Sequence, residues 1–391
     1  MTQPEQKPEQ KPETSYRDAG VDEEREQDAF SKVMRPWLAR TEVRSPLVTS
    51  ITGLASGYFA TLLHIPPGPP IALTTDGVGT KILLAREANR WEPVGVDVVA
   101  NNVNDLVCVG AVPLALLDYM ATDRIDEGVF EELAKGMYQG ATLAGIAIPG
   151  GEIAQIGAML ASPADKATGP MLDLVGTAMG AMPPADPAER PAAGRITEWR
   201  KPVDGACVED GDVIIGLPSS GLHSNGYSLA RHALFDLGGL TLDDDVKGTG
   251  QSLADALLQP TRVYVAAAEA LWVAGVTPKG LVHISGGGLL NLGRLAADVS
   301  YELDALPAPQ PVFGLIAEAG KVPASTMYAT FNMGTGFCVV VSPEQEQAAI
   351  AALTRAGEEP VRIGRVTGST GRHVSIPAQG LTGHGDAFQS R

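Results

Sequence analysis

Five stretches of this chain gather acids, glycines, amides and histidines at spacings suited to phosphate chemistry. In "IALTTDGVGTKILLA", residues 71–85, an apolar strand ends in Asp76, Gly77, Gly79, Thr80 and Lys81 before the next apolar run begins. Asp76 offers oxygen to a hard cation, the glycines let backbone approach a ligand, and Lys81 offers a charge to phosphate. The order Gly-Thr-Lys is not that of a P-loop, which needs Gly-Lys-Ser/Thr after its spacer. An ordinary strand-to-helix turn with a solvated lysine accounts for the same residues.

In "GVDVVANNVNDLVCVGA", Asp97 and Asp105 stand about two helical turns apart and share a face if a helix starts near Asp97, with Asn101 and Asn104 beside them. Together with Asp76 they make three carboxylates able to converge on Mg²⁺, which takes oxygen ligands and bridges to substrate phosphates. A helix cap at Asp97 with the others facing water explains the pair equally well. "GLPSSGLHSNGYSLAR" packs Ser219, Ser220, His223, Ser224 and Asn225 around Gly221 and Gly226, more hydrogen-bonding groups than a turn requires. "LVHISGGGLLNLGR" places Gly286, Gly287 and Gly288 where a strand gives way to a helix, a nest of N–H groups suited to an anion, with His283 just before it to donate or move a proton. A helix-start turn needs only one of the three glycines. "FNMGTGFCVVV" sets Asn332, Gly334 and Gly336 ahead of a buried strand, where a β-bulge serves as well as a ligand. No Ser-His-Asp order, zinc motif or dinucleotide fingerprint competes.

The elements that must position these groups alternate along the chain. With 391 residues, 44% hydrophobic and 19% charged, the chain has the composition of a soluble globular protein with room for two domains. Strand-like runs such as "PLALLDYM", "DVIIGLPS" and "GFCVVVS" alternate with helical patterns such as "DEGVFEELAKGMYQGATLAGIAIPGGE", which carries acids in its first turn and a glycine near its end. Helical spacing also marks "DAFSKVMRPWLART", "NGYSLARHALFD" and the long run "LADALLQPTRVYVAAAEALWVAG". This alternation predicts an α/β or α+β fold in both halves. The Pro- and Ala-rich "PPADPAERPAAGR" marks the domain boundary, giving an N-terminal domain over 15–181 and a C-terminal one over 182–391. The repeated "EQKPEQKPE" predicts a disordered lead-in over 1–14.

A formal charge of −17 argues against a nucleic-acid partner, whose phosphates call for excess Lys and Arg. A phosphorylated small molecule stays compatible, held locally. No run of eighteen apolar residues and no signal-peptide core is present, and three scattered cysteines suggest a reducing compartment, so the expectation is a cytoplasmic protein without a membrane partner.

The stretches "SYRDAGVD", "TTDGVGTK", "GVDVVANNVNDLVCVGAVPLALLDYMA", "GGE", "GLPSSGLHSNGYSLAR", "HISGGGLLNLGR" and "FNMGTGFCVVV" occur in an order that resembles the phosphoribosylformylglycinamidine cyclo-ligases, the aminoimidazole ribonucleotide synthetases of purine synthesis. The resemblance spans nearly the whole chain after the lead-in. "SSGLHSNGYSL" and "HISGGG" are its most specific parts, whereas "TTDGVGTK" is shared with a wider superfamily of ATP-dependent enzymes.

The resemblance implies two α/β domains in a homodimer whose N-terminal sheets join into a barrel, with an ATP site bordered by the acidic loops. It implies that ATP activates the formamide oxygen of formylglycinamidine ribonucleotide, a substrate nitrogen attacks, and phosphate leaves as the imidazole ring closes. By position, Asp76, Asp97 and Asp105 would hold Mg²⁺. Asp76, Gly77, Gly79, Thr80, Lys81 and Asn104 would meet ATP. Glu152, Ser220, Ser224, Asn225, Gly286, Gly287, Gly288 and Asn332 would border substrate or phosphate, and His223 and His283 would be catalytic. The chain departs from the family pattern in three places. It reads "TSITGLASGYFA" where a "GGxGGFGA" stretch is usual, "GGEIAQIGAML" for "GGETAEMPGMY", and "ANNVND" for "AMCVND". The altered loops leave open a superfamily member activating a different amide or acid, or a nucleotide-binding protein without turnover.

Overall fold

The computed structural model describes residues 14–15, 17–21, 25, 28–34, 36, 49–50, 58–160, 169–186, 196 and 198–390. The lead-in up to residue 13, Gly53 and Gly57 lie outside them. Two sheets form. The first holds β1 (Thr49–Ser50), β2 (Thr61–His64), β3 (Pro70–Gly77), β4 (Val112–Thr122), β5 (Ala147–Gln155) and β6 (Leu172–Ala181), in the order β1-β2-β3-β6-β4-β5. β4 and β5 run parallel, which requires a crossover, while the other neighbours are antiparallel. The second runs β10-β12-β7-β13-β11-β14-β15-β16, from β7 (Val213–Pro218), β10 (Gly280–His283), β11 (Ser300–Glu302), β12 (Thr335–Val341), β13 (Val361–Thr367), β14 (Val374–Ile376), β15 (Leu381–His384) and β16 (Ala387–Ser390). A small ribbon of β8 (Asp245–Val246) and β9 (Gln251–Ser252) stands apart. β12 is buried along all seven residues, as its unbroken apolar run requires of a central strand. The mixed α/β architecture expected from the alternating pattern is therefore present in both halves.

Three helices of the N-terminal half bear on the site: α1 (Lys81–Glu87), α2 (Glu92–Cys108) and α3 (Glu127–Ala144). α3 makes the β4–β5 crossover and fills the first part of the stretch expected to be helical, whose end "AIPGGE" is instead the start of β5. The Asp126 side chain caps it by accepting from the N–H groups of Gly128 and Val129, and Gly145 ends it at φ 68°. α2 and α3 meet backbone to backbone, because a Cβ on Gly95 or Gly136 would overlap the other helix.

α2 decides the architecture of the site. One side packs on β3 and β6 and the other on β10 of the second sheet, so nearly every residue from Val94 to Cys108 is buried. A helix buried all round has no solvent face on which to park polar side chains. Asp97, Asn101, Asn102 and Asn104 are buried with it, and each must find a partner in one half or the other.

The structure corrects four local expectations. "LADALLQPTRVYVAAAEALWVAG" is not one helix but two, Leu253–Leu257 and α4 (Val265–Val273), because Pro260 lacks an N–H and restricts the residue before it. The run "GGGLLNLGR" makes a seven-residue 3₁₀ helix from Gly288 to Arg294. "NGYSLARHALFD" turns from α at Tyr227–Arg231 to π at His232–Leu237, and "DAFSKVMRPWLART" is a π-helix over Ala29–Met34 among its described residues. Among the described residues no helix is long and apolar enough to cross a membrane.

Candidate active site

The polar residues of α2 divide into three jobs. Asp97 sits beside Lys81 with Oδ2 2.7 Å from Nζ, both fully buried. Lys81 also donates to the carbonyls of His223 (3.0 Å) and Gln259 (2.6 Å), and Asp97 Oδ1 accepts from the Thr261 N–H and hydroxyl at 2.7 and 2.8 Å. Burial pulls the Lys81 pKa down, and the neighbouring Asp97 carboxylate acts against it. Asn104 likewise spends its amide across the halves, donating to the Arg262 carbonyl and accepting from the Tyr264 N–H. Lys81, Asp97 and Asn104 therefore bolt the 259–264 break and the His223 loop to the N-terminal half. Lys81 and Asn104, expected to meet a nucleotide, and Asp97, expected to hold a metal, are thus placed against protein partners in this structure. Lys81 makes two hydrogen bonds and one ion pair within the protein, and among the described residues no group of three or more His, Cys, Asp or Glu is placed to hold a metal.

The second job is to hold the end of β3. Asn101 donates to the Gly77 carbonyl (3.0 Å) and Asn102 to that of Asp76 (3.1 Å), where they fix the turn carrying the acid. The Asp76 residue reaches solvent, while its carboxyl group is crowded by Asp105, His283 and Arg294. Its pKa is pushed up to about 6, first by burial of the carboxyl against surrounding protein and then by the Asp105 charge, with the Gly77 N–H bond, His283 and Arg294 working the other way. Thr80 is used locally, its hydroxyl 3.1 Å from that of Ser228, and Gly79 turns the chain at φ 58°.

The third job belongs to Asp105, whose Oδ1 accepts from His283 Nδ1 at 2.9 Å. The His283 N–H in turn lies 3.1 Å from Cys108 Sγ. His283 Nε2 is buried with no partner. A second imidazole, His223, stands with its ring centroid 6.5 Å away, at φ 61° in the left-handed region. His223 Nε2 accepts from the Ser220 N–H (3.3 Å), which puts its proton on Nδ1, and Nδ1 too is buried without a partner. Burial first, and then the charges of His283, Lys81 and Arg262, hold the His223 pKa well below the ordinary histidine value, so this ring is neutral.

The glycine loop closes the site from the C-terminal half. Gly288 is required by packing, since φ is 54° and a Cβ would strike the carbonyls of Tyr328 and Phe331. Gly287 turns at φ 91° against Asn291, whose amide holds the His283 carbonyl. Gly286 is the open one, facing Asn225 Oδ1. Arg294 lies next to this loop and to Asp76, with its guanidinium 5.2 Å from the Phe59 ring centre. It is the site cation the sequence pattern did not single out, standing last in "GGGLLNLGR" with nothing in its spacing to mark it.

Other residues expected at the site make hydrogen bonds within the protein. Asn332 accepts from Ser219 Oγ and the Gly334 N–H and donates to the Gly221 carbonyl. Ser220 Oγ donates to the Pro260 carbonyl, and Ser224 Oγ lies 3.2 Å from Thr261 Oγ1. Glu152 is not brought to the cluster. It pairs with Tyr119 in the sheet register, whereas Asp76, Gly176 and Asp118 share a row pointing to the opposite face. A Cβ on Gly336 would overlap the Tyr264 hydroxyl and the His223 ring edge. Gly336→Ala is accordingly expected to cost about 1–3 kcal/mol of stability, as overpacking does, and to lower turnover further by displacing His223; denaturant unfolding and steady-state kinetics measure both.

Comparison with known proteins gives the family and the fold. Residues 58–182 match the family described as AIR synthase related protein, N-terminal domain, and residues 209–376 its C-terminal domain. The chain is 40% identical over 364 residues to the phosphoribosylformylglycinamidine cyclo-ligase of Methanothermobacter thermautotrophicus, spanning 93% of this chain and 97% of that protein. It is 40% identical over 371 residues to that of Myxococcus xanthus, spanning 93% and 99%. Solved structures with the same fold include hydrogenase maturation protein HypE in complex with ATP, with TM-score 0.52 and 16% identity over 90% of this chain and 92% of that one. AaThiL complexed with AMPPCP and TMP aligns with TM-score 0.55 and 16% identity over 91% and 94%.

Proposed function

This chain belongs to the AIR synthase family, the phosphoribosylformylglycinamidine cyclo-ligases, and we propose that the cluster of Asp76, Asp105, His223 and His283 is where it carries out their reaction. The enzyme closes the imidazole ring of aminoimidazole ribonucleotide from formylglycinamidine ribonucleotide, using ATP, in purine biosynthesis. An amide oxygen is a poor leaving group until phosphorylated, so the site must bind a triphosphate, place its γ-phosphoryl on that oxygen, and then manage a proton as the substrate nitrogen attacks.

The observation that carries this assignment is the pair of buried imidazoles, each with an unused nitrogen. His223 is neutral and offers Nδ1–H as a donor to an oxygen that gains charge. His283 has Nδ1 fixed on Asp105, which orients Nε2 for proton transfer with the substrate. Asn225 and the open backbone at Gly286 border the space next to Arg294, whose charge suits the leaving phosphate. The ATP-binding loop is the β3–α1 turn, held by Asn101 and Asn102.

Asp76 and Asp105 fit a Mg²⁺ ion. Burial first and then the Asp105 charge raise the Asp76 pKa, and Mg²⁺ is held through one or two carboxylates together with substrate phosphates. Such an ion would supply charge neutralisation at the transferred phosphoryl group.

A homodimer is supported by the sheet face opposite α2. Leu73, Leu117, Tyr119, Val175 and Met179 share that face by register, and Leu117, Tyr119 and Met179 are exposed on it. A second copy packed there would also cover Glu152. Soluble nucleotide substrates and three unpaired cysteines are in keeping with the cytoplasm.

The test is direct. Purified protein with Mg·ATP and formylglycinamidine ribonucleotide is expected to yield aminoimidazole ribonucleotide and one phosphate per ring closed. Folded protein that binds ATP and forms no product would overturn the substrate assignment.

A further inference from the structure

We infer that the crevice around Arg200 and Trp272 is a second binding site, separate from the cluster above, for a small organic anion with an apolar or aromatic body. The cavity has a volume of about 330 Å³ and lies where the two halves meet, between the C-terminal end of α2 and α4. Val107 and Ala111 line it from the N-terminal half, Pro184 from the connecting segment, and Val265, Ala268 and Trp272 from α4. This is the size and chemistry of a small-molecule pocket, mostly apolar with one cation to orient the occupant.

That charge is Arg200. Its guanidinium stacks 3.9 Å from the Trp272 ring centre and is half-buried, with no ion pair or side-chain hydrogen bond to any described residue. Stacking satisfies the face of the guanidinium and leaves its N–H edge, whose fork geometry matches a carboxylate. Glu269, the carboxylate on the cavity wall, is exposed and not paired with it. The backbone pins Arg200 in place, since its N–H donates to the Pro183 carbonyl and the neighbouring Ala185 N–H to that of Glu198. On its other side the Arg200–Trp272 pair walls a second recess, lined by Trp199, Lys201 and Thr277 among others, which gives an anionic head a polar exit. The occupant touches both halves and so ties them together.

The probe is 2-naphthoate, with 2-naphthalenemethanol as its neutral match, each titrated calorimetrically into the full chain with tryptophan fluorescence followed in parallel. One 2-naphthoate is expected per chain, quenching tryptophan emission. Arg200→Gln is expected to weaken it at least tenfold while leaving the alcohol unchanged, and Trp272→Leu to weaken both. Arg200→Gln removes a partly exposed side chain and keeps the fold, which circular dichroism checks, so the comparison survives even if Trp272→Leu unfolds. Equal affinity of wild type and Arg200→Gln for 2-naphthoate would overturn the proposal. So would its displacement by Mg·ATP, which would place the probe in the active site.

Discussion

Asp97→Ala is expected to lower the unfolding free energy by about 3–5 kcal/mol, the range for removing one partner of a buried ion pair. The substitution leaves the Lys81 ammonium desolvated without its carboxylate and strips the Thr261 N–H and hydroxyl of their acceptor. The loss falls on the contact between the halves, because Lys81 and Asp97 come from one and the His223, Gln259 and Thr261 segments from the other. Replacing both partners, Lys81→Met with Asp97→Leu, removes the stranded charge and is expected to recover a large part of the loss. Urea unfolding of Lys81→Met, Asp97→Leu and the double variant, each against wild type, measures the coupling. A cost for Asp97→Ala of under about 1 kcal/mol would mean the pair is hydrated and holds nothing together.

Asp76→Asn is expected to lower kcat/KM by roughly 10²–10³, the scale of removing one group that stabilises developing charge, while raising the thermal midpoint of the ligand-free protein. The sign follows from proton binding. The Asp76 pKa is about 6 in the folded protein against an ordinary value of 3.8, so between those values the folded state binds more protons than the unfolded one. Stability therefore falls as pH rises through that window, and above it the ionised carboxylate is a standing cost. Asparagine does not ionise and can still accept the Gly77 N–H. The midpoint difference between variant and wild type should be near zero at roughly pH 4 and reach its full, modest size above roughly pH 6. Thermal scans across this range, with kinetics at pH 7.5, test both halves. A variant that turns over normally would remove Asp76 from the site, and one less stable at every pH would show that its carboxylate serves the fold. A gain in stability with a loss of turnover is the pattern of a charge retained for function.

The sequence by itself determined the family, the α/β alternation and the identity of the loops that meet at the site. Those rest on local signals: an unbroken apolar run for β12, an acid cap and terminal glycine for α3, and clusters of glycine with Asp or His that few turns require. It could not sort the clustered residues by job. Asp97, Asn104 and Asp105 lie within one helix and look alike in spacing, yet Asp97 faces Lys81, Asn104 faces the 259–264 break and Asp105 faces His283. Only packing α2 between two sheets sets those directions, since a helix with no solvent side sends each polar group to whichever half it meets. The same long-range packing explains why Pro260 interrupts an apparently continuous helix: the carbonyls and N–H groups freed around the break are the ones Lys81, Ser220, Asn104 and Asp97 take up. Glu152 and Arg294 make the complementary case. Strand register turned Glu152 to the far face of the sheet, and the fold of the glycine loop brought Arg294 beside Asp76. Neither depends on near neighbours in sequence, so tertiary structure alone decided them.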